Sequence, residues 1–341
     1  MSQIVFNDGS VIGNGIPYFV AEVNSSHGGD METAKKMVDA AAECGCNCVK
    51  FQSWSSKTLY SKSYYKENPI AKRFVDKFSM NEDKLREIAD YCKERRISFA
   101  STPYSKEEVD FLVNVNVPFI KIASMEINNY PFLEYIAKTK VPIVLSTGMA
   151  DTEEFVKAVD TIEKAGNKNL CILHCISIYP PETSEINLRN ILGLQERFPN
   201  YPIGFSDHSL GTEMACAATA LGAALIEKHI TLDKAKIGMD NQMAIEPDEL
   251  KSLVRLCKNV SIALGSKERN VNQSELVQRK KMRRSLVYTH DLKAGDILTE
   301  NDIDSKRPGT GFPPDSKRGF IGKKLVRDVA DDTMLVKEDF E

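Results

Sequence analysis

Polar side chains recur at the ends of short apolar runs along this sequence, where groups from separate runs could converge on one ligand. Two of them are lysines, Lys50 and Lys121. Hydroxyl groups end other runs, namely Thr102, Ser124, Ser146 and Ser206. An ammonium group is a compact positive charge and a hydroxyl group is a hydrogen-bond donor, so together they suit a ligand that carries both phosphate and carboxylate. The pattern therefore predicts an anion pocket, although a single strand lysine can also be a charge at a sheet edge.

Two histidines, His208 and His229, end neighbouring runs and could reach one divalent ion. Imidazole nitrogens combined with carboxylate, substrate and water oxygens suit Mn²⁺, Mg²⁺ or Zn²⁺. The alternative role for these histidines is hydrogen bonding within a core. Glu22 and Glu126 also end runs, and two carboxylates in one pocket can divide the roles of general acid and general base.

The runs are spaced as alternating strands and helices. Eight apolar runs, separated by amphipathic segments, are the predicted strands: Tyr18 to Val23, Cys46 to Gln52, Ile97 to Ser101, Phe119 to Ile122, Ile143 to Ser146, Leu170 to Cys175, Ile203 to Ser206 and Leu225 to His229. Eight βα units predict a (β/α)8 TIM barrel, an α/β fold, more strongly than an open sheet. Function in such barrels lies at the C-terminal strand ends. Every predicted strand end here is polar, and the further members of this ring are Gln52, Thr147, His174, Ser177 and Glu227.

The segments between the strands have the periodicity and the ends of helices. Asp30 can cap a helix whose Ala34, Met37, Val38 and Ala41 form one apolar face and which stops at Gly45. One connection, Ser53 to Met80, is long enough to be a functional lid, and a surface insertion is the alternative.

The pattern changes near the C-terminus, which predicts a second domain. The barrel is assigned residues 1–266, a polar segment with a basic run at 267–284 is interpreted as a linker, and residues 285–341 have short β-like pieces with turns. We therefore expect a small β-rich domain after the barrel.

Composition excludes several classes of protein. The 341 residues carry 45 Lys and Arg against 48 Asp and Glu, a formal net charge of -3, which predicts no binding to nucleic acid or to anionic membranes. No run approaches the roughly 18 apolar residues of a membrane-spanning helix, and Met1 is followed by polar residues. The eight cysteines include no C-x-x-C pair, which is typical of reduced thiols, and we expect a cytoplasmic protein.

Seven motifs in order along the chain resemble the sialic acid synthase family. They are Lys50-Phe-Gln, Ser101-Thr-Pro, Lys121-Ile-Ala-Ser-Met-Glu-Ile-Asn-Asn, Leu145-Ser-Thr-Gly-Met, His174-Cys with Tyr179-Pro, Gly204-Phe-Ser-Asp-His-Ser and Ile226-Glu-Lys-His. In that family a barrel precedes an antifreeze-like (SAF) domain, and Lys306-Arg-Pro-Gly with Ile321-Gly-Lys-Lys-Leu is similar to the latter.

The resemblance implies condensation of phosphoenolpyruvate with an N-acylated mannose-type sugar to a nine-carbon 2-keto acid and phosphate. It implies that phosphoenolpyruvate is held by Lys50, Thr102, Lys121, Ser124, Ser146 and Ser206. It implies Mn²⁺, or Mg²⁺ or another divalent cation, on His208 and His229, and catalytic roles for Glu22, Lys121 and Glu126. The residues that would face the sugar are Gln52, Asn128, Tyr179, Asp240 and Arg307. The family's domain-swapped homodimer would bring Arg307 from the other chain.

Two segments depart from the family pattern on the sugar side. Ser26-His27 replaces the usual Asn-His pair, and Gly238-Met-Asp-Asn-Gln-Met-Ala stands where many members have Asp-His-Lys. The acceptor could therefore be N-acetylmannosamine or a 2,4-diacetamido-trideoxyhexose that leads to legionaminate or pseudaminate. Two alternatives remain at this point: another phosphoenolpyruvate-dependent 3-deoxy-sugar-acid synthase, and a carbohydrate-binding protein.

Overall fold

A closed parallel barrel forms the larger part of the chain. The computed structural model describes residues 2–236 and 238–340, so the outer limits of the predicted domains, residues 1 and 341, lie outside the described residues. The chain divides into two compact units, residues 1–265 and 266–341. The strands of the first unit are β1 (Ile4–Val5), β2 (Val11–Ile12), β3 (Tyr18–Glu22), β4 (Cys48–Gln52), β5 (Ser98–Thr102), β6 (Ile120–Ile122), β7 (Ile143–Ser146), β8 (Leu170–Cys175), β9 (Ile203–Asp207) and β10 (Leu225–His229).

Strands β3 to β10 pair in sequence order and close when β10 pairs with β3, which confirms the predicted TIM barrel. Three predicted strands, 143–146, 170–175 and 225–229, have the observed limits, and the limits of the other five differ by one or two residues. Cys46, for example, was expected to begin the second strand, but β4 begins at Cys48.

Helices surround the barrel and follow the strands. In the first unit they are α1 (Met31–Glu43), α2 (Lys62–Glu67), α3 (Pro69–Phe78), α4 (Glu82–Glu94), α5 (Lys106–Asn114), α6 (Tyr130–Lys138), α7 (Thr152–Lys164), α8 (Asn190–Arg197), α9 (Glu213–Ala220) and α10 (Pro247–Leu264). Helix α1 begins as predicted, because the Asp30 side chain accepts a hydrogen bond from the Thr33 backbone N–H at 2.8 Å. Its buried residues are the predicted face, Ala34, Met37, Val38 and Ala41.

The alternation of side chains along each strand creates two separate apolar layers. Outward-facing residues pack against the helices, whereas inward-facing residues such as Cys48, Phe119 and Leu225 fill the lower half of the barrel. The β1–β2 hairpin closes this lower end, since Phe6 packs on Phe119 with ring centroids 4.8 Å apart. The upper half, at the C-terminal strand ends, is left for polar side chains.

The long connection after β4 is folded. We expected residues 53–80 to be a loop, but α2 and α3 lie within it, and Pro69 occupies the first turn of α3, where proline is tolerated. Trp54, Tyr65 and Phe78 pack together in a small apolar cluster of their own. This cluster holds the connection in one conformation beside the barrel.

The second unit has a helix and a small β-rich core. Its elements are α11 (Gln273–Met282), β11 (Ser285–Tyr288) and β12 (Ile303–Lys306), and β11 pairs with β12 in antiparallel fashion. The segment 267–284, interpreted from the sequence as a linker, thus contains a helix that the sequence did not predict. Tyr288 lies in the core and donates a hydrogen bond to Asp339 at 2.9 Å. Within the described residues no helix is long and apolar enough to cross a membrane.

Candidate active site

A cavity of about 380 Å³ opens at the C-terminal ends of the barrel strands. Strand register explains it, because the polar residues occupy the inward-facing positions directly above the apolar fill of the lower barrel. The predicted site residues that line it are Glu22, Lys50, Gln52, Thr102, Lys121, Ser124, Ser146, Tyr179, Ser206, His208, His229 and Asp240. Residues far apart in sequence therefore meet at one site, as the sequence predicted.

Lys50 lies between two carboxylates at the base of the cavity. Its Nζ forms a short ion pair with Glu22, lies 3.6 Å from Glu227 Oε2 and donates to Thr102 Oγ1 at 3.3 Å. Burial by itself would lower the pKa of Lys50, but the charges of Glu22 and Glu227 outweigh burial and raise it. Lys50 is therefore held as a cation although its side chain is only 3% exposed.

Lys121 is the second buried cation. Its Nζ donates to Ser146 Oγ at 2.6 Å and lies 3.8 Å from Glu227 Oε1. Burial lowers the pKa of Lys121, and the Glu227 charge offsets that effect only in part. The positive charge of Lys121 is therefore less fully compensated by nearby carboxylates than that of Lys50. An anionic ligand would supply the missing negative charge.

Glu227 connects the two lysines. Burial alone would raise the pKa of this carboxyl, but Lys121 and Lys50 outweigh burial and hold the pKa at about 2. Ser206 also donates to Glu227 at 2.9 Å. The base of the cavity thus has two ammonium groups on either side of the Glu227 carboxylate, with the Glu22 carboxylate beside Lys50 and hydroxyl groups between them.

His208 directly follows β9 and His229 ends β10, and the two rings lie next to each other with centroids 5.1 Å apart. His208 Nδ1 lies 2.7 Å from the carbonyl oxygen of Ile176, so it carries the proton and leaves Nε2 unprotonated, with only a long contact of 3.4 Å to Ser206 Oγ. His229 Nδ1 contacts the Asp240 carboxylate, which leaves its Nε2 free in the same way. Imidazoles whose second nitrogen is fixed by a carbonyl or a carboxylate are the usual form of metal-ligating histidine.

The pair fits a divalent cation that completes its shell with ligand and water oxygens. Within residues 2–236 and 238–340, no group of three or more His, Cys, Asp or Glu side chains is arranged to hold a metal by itself. The two histidines would therefore supply two ligands and leave the other coordination positions of the cation open. A substrate oxygen would take one of these open positions.

Aromatic and amide side chains form the wall above the lysines. Gln52 Oε1 accepts hydrogen bonds from Tyr104 at 2.7 Å and from Trp54 at 2.9 Å, and its Nε2 donates to Glu22 at 2.8 Å. Tyr179 packs on the His208 ring with centroids 4.1 Å apart. Gln52 is thereby held in one orientation by three partners.

Some residues of the predicted ring lie elsewhere. His174 was expected at the cavity, but it faces the opposite side of β8, where its Nε2 lies 2.7 Å from the Ile186 carbonyl oxygen. Cys175 takes the inward position instead. Burial raises the pKa of this thiol, but contact with His208 more than reverses the effect and lowers it to about 7.

Two of the predicted substrate and catalytic residues in the barrel unit do not line its cavity. Glu126 is partly exposed and accepts a hydrogen bond from Asn129 at 2.7 Å, and Asn128 is exposed on the same loop. Arg307 belongs to the second unit and is exposed there.

The structure also adds residues to which the sequence assigned no role. These lining residues are Asn24, Trp54, Tyr104 and Cys175. Ser177 and Glu227, which the sequence placed in the polar ring, also line the cavity, and Glu227 lies two residues before His229 on the same strand. Asn24 and Tyr104 lie in loops, and no periodic signal in the sequence identifies such positions.

Comparison with known proteins decides the family. The NeuB family model matches residues 37–269, and the SAF domain model matches residues 283–341. The chain belongs to the NeuB family. This confirms the resemblance to sialic acid synthases, and the chain is an enzyme of that type.

Relatives cover nearly the whole chain. The N,N'-diacetyllegionaminic acid synthase of Legionella pneumophila is 34% identical over 95% of this chain and 94% of its own length. The human N-acetylneuraminate-9-phosphate synthase is 36% identical over 94% of this chain and 92% of its own. The crystal structure of the N-acetylneuraminic acid synthetase of Leptospira borgpetersenii, in complex with citrate, has a TM-score of 0.75 and 32% identity, and the match covers 82% of this chain and 95% of that one. NeuB relatives of similar identity thus carry different product names, so identity alone does not select the sugar.

Proposed function

We propose that this enzyme condenses phosphoenolpyruvate with an N-acylated mannose-type sugar, either N-acetylmannosamine or a 2,4-diacetamido-trideoxyhexose, to give a nine-carbon 2-keto acid and phosphate. One observation carries the proposal: two buried lysines share a cavity with two histidines whose free nitrogens suit a cation. This combination matches a small anion as one substrate and a polarisable carbonyl group as the other.

The base of the cavity is the proposed phosphoenolpyruvate site. Lys50 and Lys121 supply positive charge, and Lys121 is the one that lacks full compensation. The donors proposed to hold the remaining oxygens are the hydroxyl groups of Thr102, Ser124, Ser146 and Ser206. Phosphoenolpyruvate remains anionic throughout the reaction, so the lysines can stabilise it from binding to product release.

His208 and His229 are the proposed ligands of Mn²⁺, or of Mg²⁺ or another divalent cation. When bound, the cation would polarise the carbonyl group of the open-chain sugar. The role of the protein here is to hold both imidazoles in the required tautomer, through Ile176 for His208 and Asp240 for His229.

The sugar is proposed to occupy the upper part of the cavity. Gln52, Tyr179 and Asp240 line it, and Asn128 would approach from the neighbouring loop. We further propose that two chains form a domain-swapped homodimer in which Arg307 of the partner subunit completes this site. The proposal rests on the family resemblance of the second unit.

The proposed reaction balances as follows. C3 of phosphoenolpyruvate forms the new carbon–carbon bond to the sugar aldehyde carbon. Water adds at C2 as hydroxide, and its other proton goes to the former aldehyde oxygen. The bond between C2 and the phosphate oxygen then breaks, the C2 hydroxyl proton leaves with inorganic phosphate, and C2 becomes the keto carbon. Glu22 is positioned to hold or move a proton, because its carboxylate lies between Gln52 Nε2 and Lys50 Nζ. Glu126 is proposed to act on the water, which would require its loop to turn towards the cavity.

Phosphate release with product mass measurement tests the proposal. The enzyme is incubated with phosphoenolpyruvate, Mn²⁺ and a panel of N-acyl hexosamines, and we expect phosphate release that depends on the acceptor together with a nine-carbon 2-keto acid product. Excess chelator should abolish turnover, and added Mn²⁺ should restore it. Phosphorylated sugars form a separate arm, because turnover with these alone would favour a 3-deoxy-sugar-acid phosphate synthase. Binding of a sugar without phosphate release in any arm would contradict the enzymatic proposal.

A further inference from the structure

The loop after β3, which contains the departing pair Ser26-His27, contacts the second segment that departs from the family pattern. Asn24 Nδ2 donates to Asp240 Oδ2 at 2.8 Å, the Met239 backbone N–H donates to Ser25 Oγ at 3.1 Å, and Ser26 Oγ donates to Asn241 Oδ1 at 3.0 Å. The loop after β3 and the segment 238–241 are therefore joined residue by residue. Ser26 and Asn241 join the two departures, and the neighbouring contact of Asn24 with Asp240 lies on the cavity wall.

Asn24 has an unusual backbone at this point. Its φ is 43°, in the left-handed region that asparagine tolerates better than most side chains. This conformation places the Asn24 side chain on the cavity wall. The amide orientation is set by its partner, because a reversed amide would place its oxygen against the Asp240 carboxylate.

This arrangement leaves two buried acceptor oxygens. Asn24 Oδ1 and Asp240 Oδ1 are both buried and accept no hydrogen bond within the described part of the chain. The other oxygen of Asp240 is already engaged by Asn24 and by His229. Buried acceptors without donors are unfavourable, so a ligand that brings donors gains from both.

The chemistry of the two substrates differs in this respect. Phosphoenolpyruvate has only acceptor oxygens and negative charge, and Asp240 would repel it. A sugar carries hydroxyl groups and, when N-acylated, an amide N–H. The donors that these two oxygens need are therefore found on the acceptor sugar.

We propose that Asn24, together with Asp240, determines which acceptor sugar is used. The two side-chain oxygens accept hydrogen bonds from two donors of that sugar: one donor is a hydroxyl group, and the other is a second hydroxyl group or the acylamino N–H group. The inference rests on the proposed function and specifies its acceptor side.

The test uses Asn24→Gly, because glycine adopts the same φ without strain while the whole Asn24 side chain is removed. Asn24→Ser is the second variant, since it keeps a polar side chain but shortens it. Ser26→Ala is the matched control: it removes the neighbouring hydrogen bond to Asn241, and Ser26 is absent from the described residues that line the cavity. Circular dichroism and Mn²⁺ affinity by calorimetry are measured for every variant.

A variant–substrate cycle gives the decisive measurement. kcat/KM is determined for the unmodified acceptor and for analogues that lack one hydroxyl group or carry an N-methylated amide. For the unmodified enzyme, loss of the recognised donor should lower kcat/KM by about 10- to 100-fold. In Asn24→Gly the same loss should have little further effect, whereas Ser26→Ala should behave as the unmodified enzyme. The KM for phosphoenolpyruvate should stay constant.

Other outcomes overturn the inference in distinguishable ways. If no analogue couples to Asn24 while the unmodified enzyme condenses its sugar, Asn24 does not determine the acceptor. If Asn24→Gly lowers only Mn²⁺ affinity and leaves the coupling unchanged, Asn24 acts through His229 and the inference is wrong. If no acceptor is condensed at all, the proposed function fails and the inference fails with it.

Discussion

Lys228 donates a hydrogen bond to Asp207 at 2.8 Å on the outer face of the barrel, and the two residues are paired in register on β10 and β9. The next residues along these strands are His229 and His208. Lys228 also donates to the Ser209 carbonyl at 2.5 Å, and Asp207 accepts from the Ser209 backbone N–H at 2.9 Å. This buried ion pair thus ties together the two strand ends that carry the histidines.

Removal of one partner of this pair should destabilise the barrel and disturb the histidines. Lys228→Met leaves Asp207 buried and unpaired, and we expect a loss of about 3–5 kcal/mol in the free energy of unfolding with weaker Mn²⁺ binding. Urea titration followed by the fluorescence of Trp54, the single tryptophan of the chain, measures the former. Lys234→Met is the control, because the side chains of Lys234 and its ion-pair partner Glu249 are 37% and 41% exposed. Loss of this exposed pair should lower the free energy of unfolding by less than about 1 kcal/mol. If Lys228→Met were no worse than Lys234→Met, the buried pair would have no special role.

Lys121 is predicted to act on phosphoenolpyruvate much more than on the sugar. Lys121→Met removes a buried cation that only a charged ligand needs, so the KM for phosphoenolpyruvate should rise by about 10- to 100-fold while the KM for the sugar changes little. Initial-rate kinetics in both substrates measure the two constants. Lys57→Met, at an exposed position of the connection after β4, is the matched control. Equal increases in both constants would show that Lys121 is structural.

Glu227 is predicted to make the barrel sensitive to acid. Its pKa is held at about 2 in the folded protein, against about 4.3 in an unfolded chain. Its stabilising effect is complete above the unfolded value and is lost as the pH falls through the folded one. Between these two pKa values the unfolded chain binds one more proton than the folded protein. The free energy of unfolding should therefore fall as the pH decreases, and for each pH unit the fall should be up to about 1.4 kcal/mol larger in the unmodified protein than in Glu227→Gln.

Urea unfolding at several pH values between 5 and about 2.5 measures this difference. Glu94→Gln, at the exposed end of α4, should retain the pH dependence of the unmodified protein. Parallel curves for the unmodified protein and Glu227→Gln would refute the predicted role of this carboxylate.

Arg307 is predicted to act on the cavity of the other subunit. Mixed dimers of Arg307→Ala and His229→Ala chains would then contain one site with both defects and one with neither. About half of the specific activity should return in each mixed dimer, which can be isolated with two different affinity tags. If Arg307 acted within its own chain, each site would keep one defect, and verified mixed dimers would stay inactive.

The sequence predicted the barrel and most of its cavity because strand ends and side-chain alternation are local properties. Lys50 and Gln52, or Ser206 and His208, lie two residues apart, so each pair shares a face wherever the strand is placed. The position of His174 was wrong for the same reason. Strand β8 is buried on both faces, so apolar residues occupy both parities and the sequence does not show which one faces inward.

Loop contributions could not be predicted because they depend on distant partners. Asn24 meets Asp240, and Tyr104 meets Gln52, across separations of 216 and 52 residues. Helix α11 was missed because none of its residues is buried, so its polar sequence carries no apolar face to detect. Its amino-terminal cap, Asn272, which accepts from the Glu275 backbone N–H at 2.8 Å, was the available signal.

The β1–β2 hairpin has a consequence for how ligands move. With Phe6 seated against Phe119 at one end of the barrel, apolar side chains fill that end, and the cavity lies at the opposite, C-terminal ends of the strands. Lys50 and Lys121 lie directly above this closed end, and Tyr179 and Asp240 lie nearer the mouth. A sugar seated at the mouth would obstruct the passage of the anion below it. We therefore expect compulsory-order kinetics, in which the anion is loaded first and the sugar follows it.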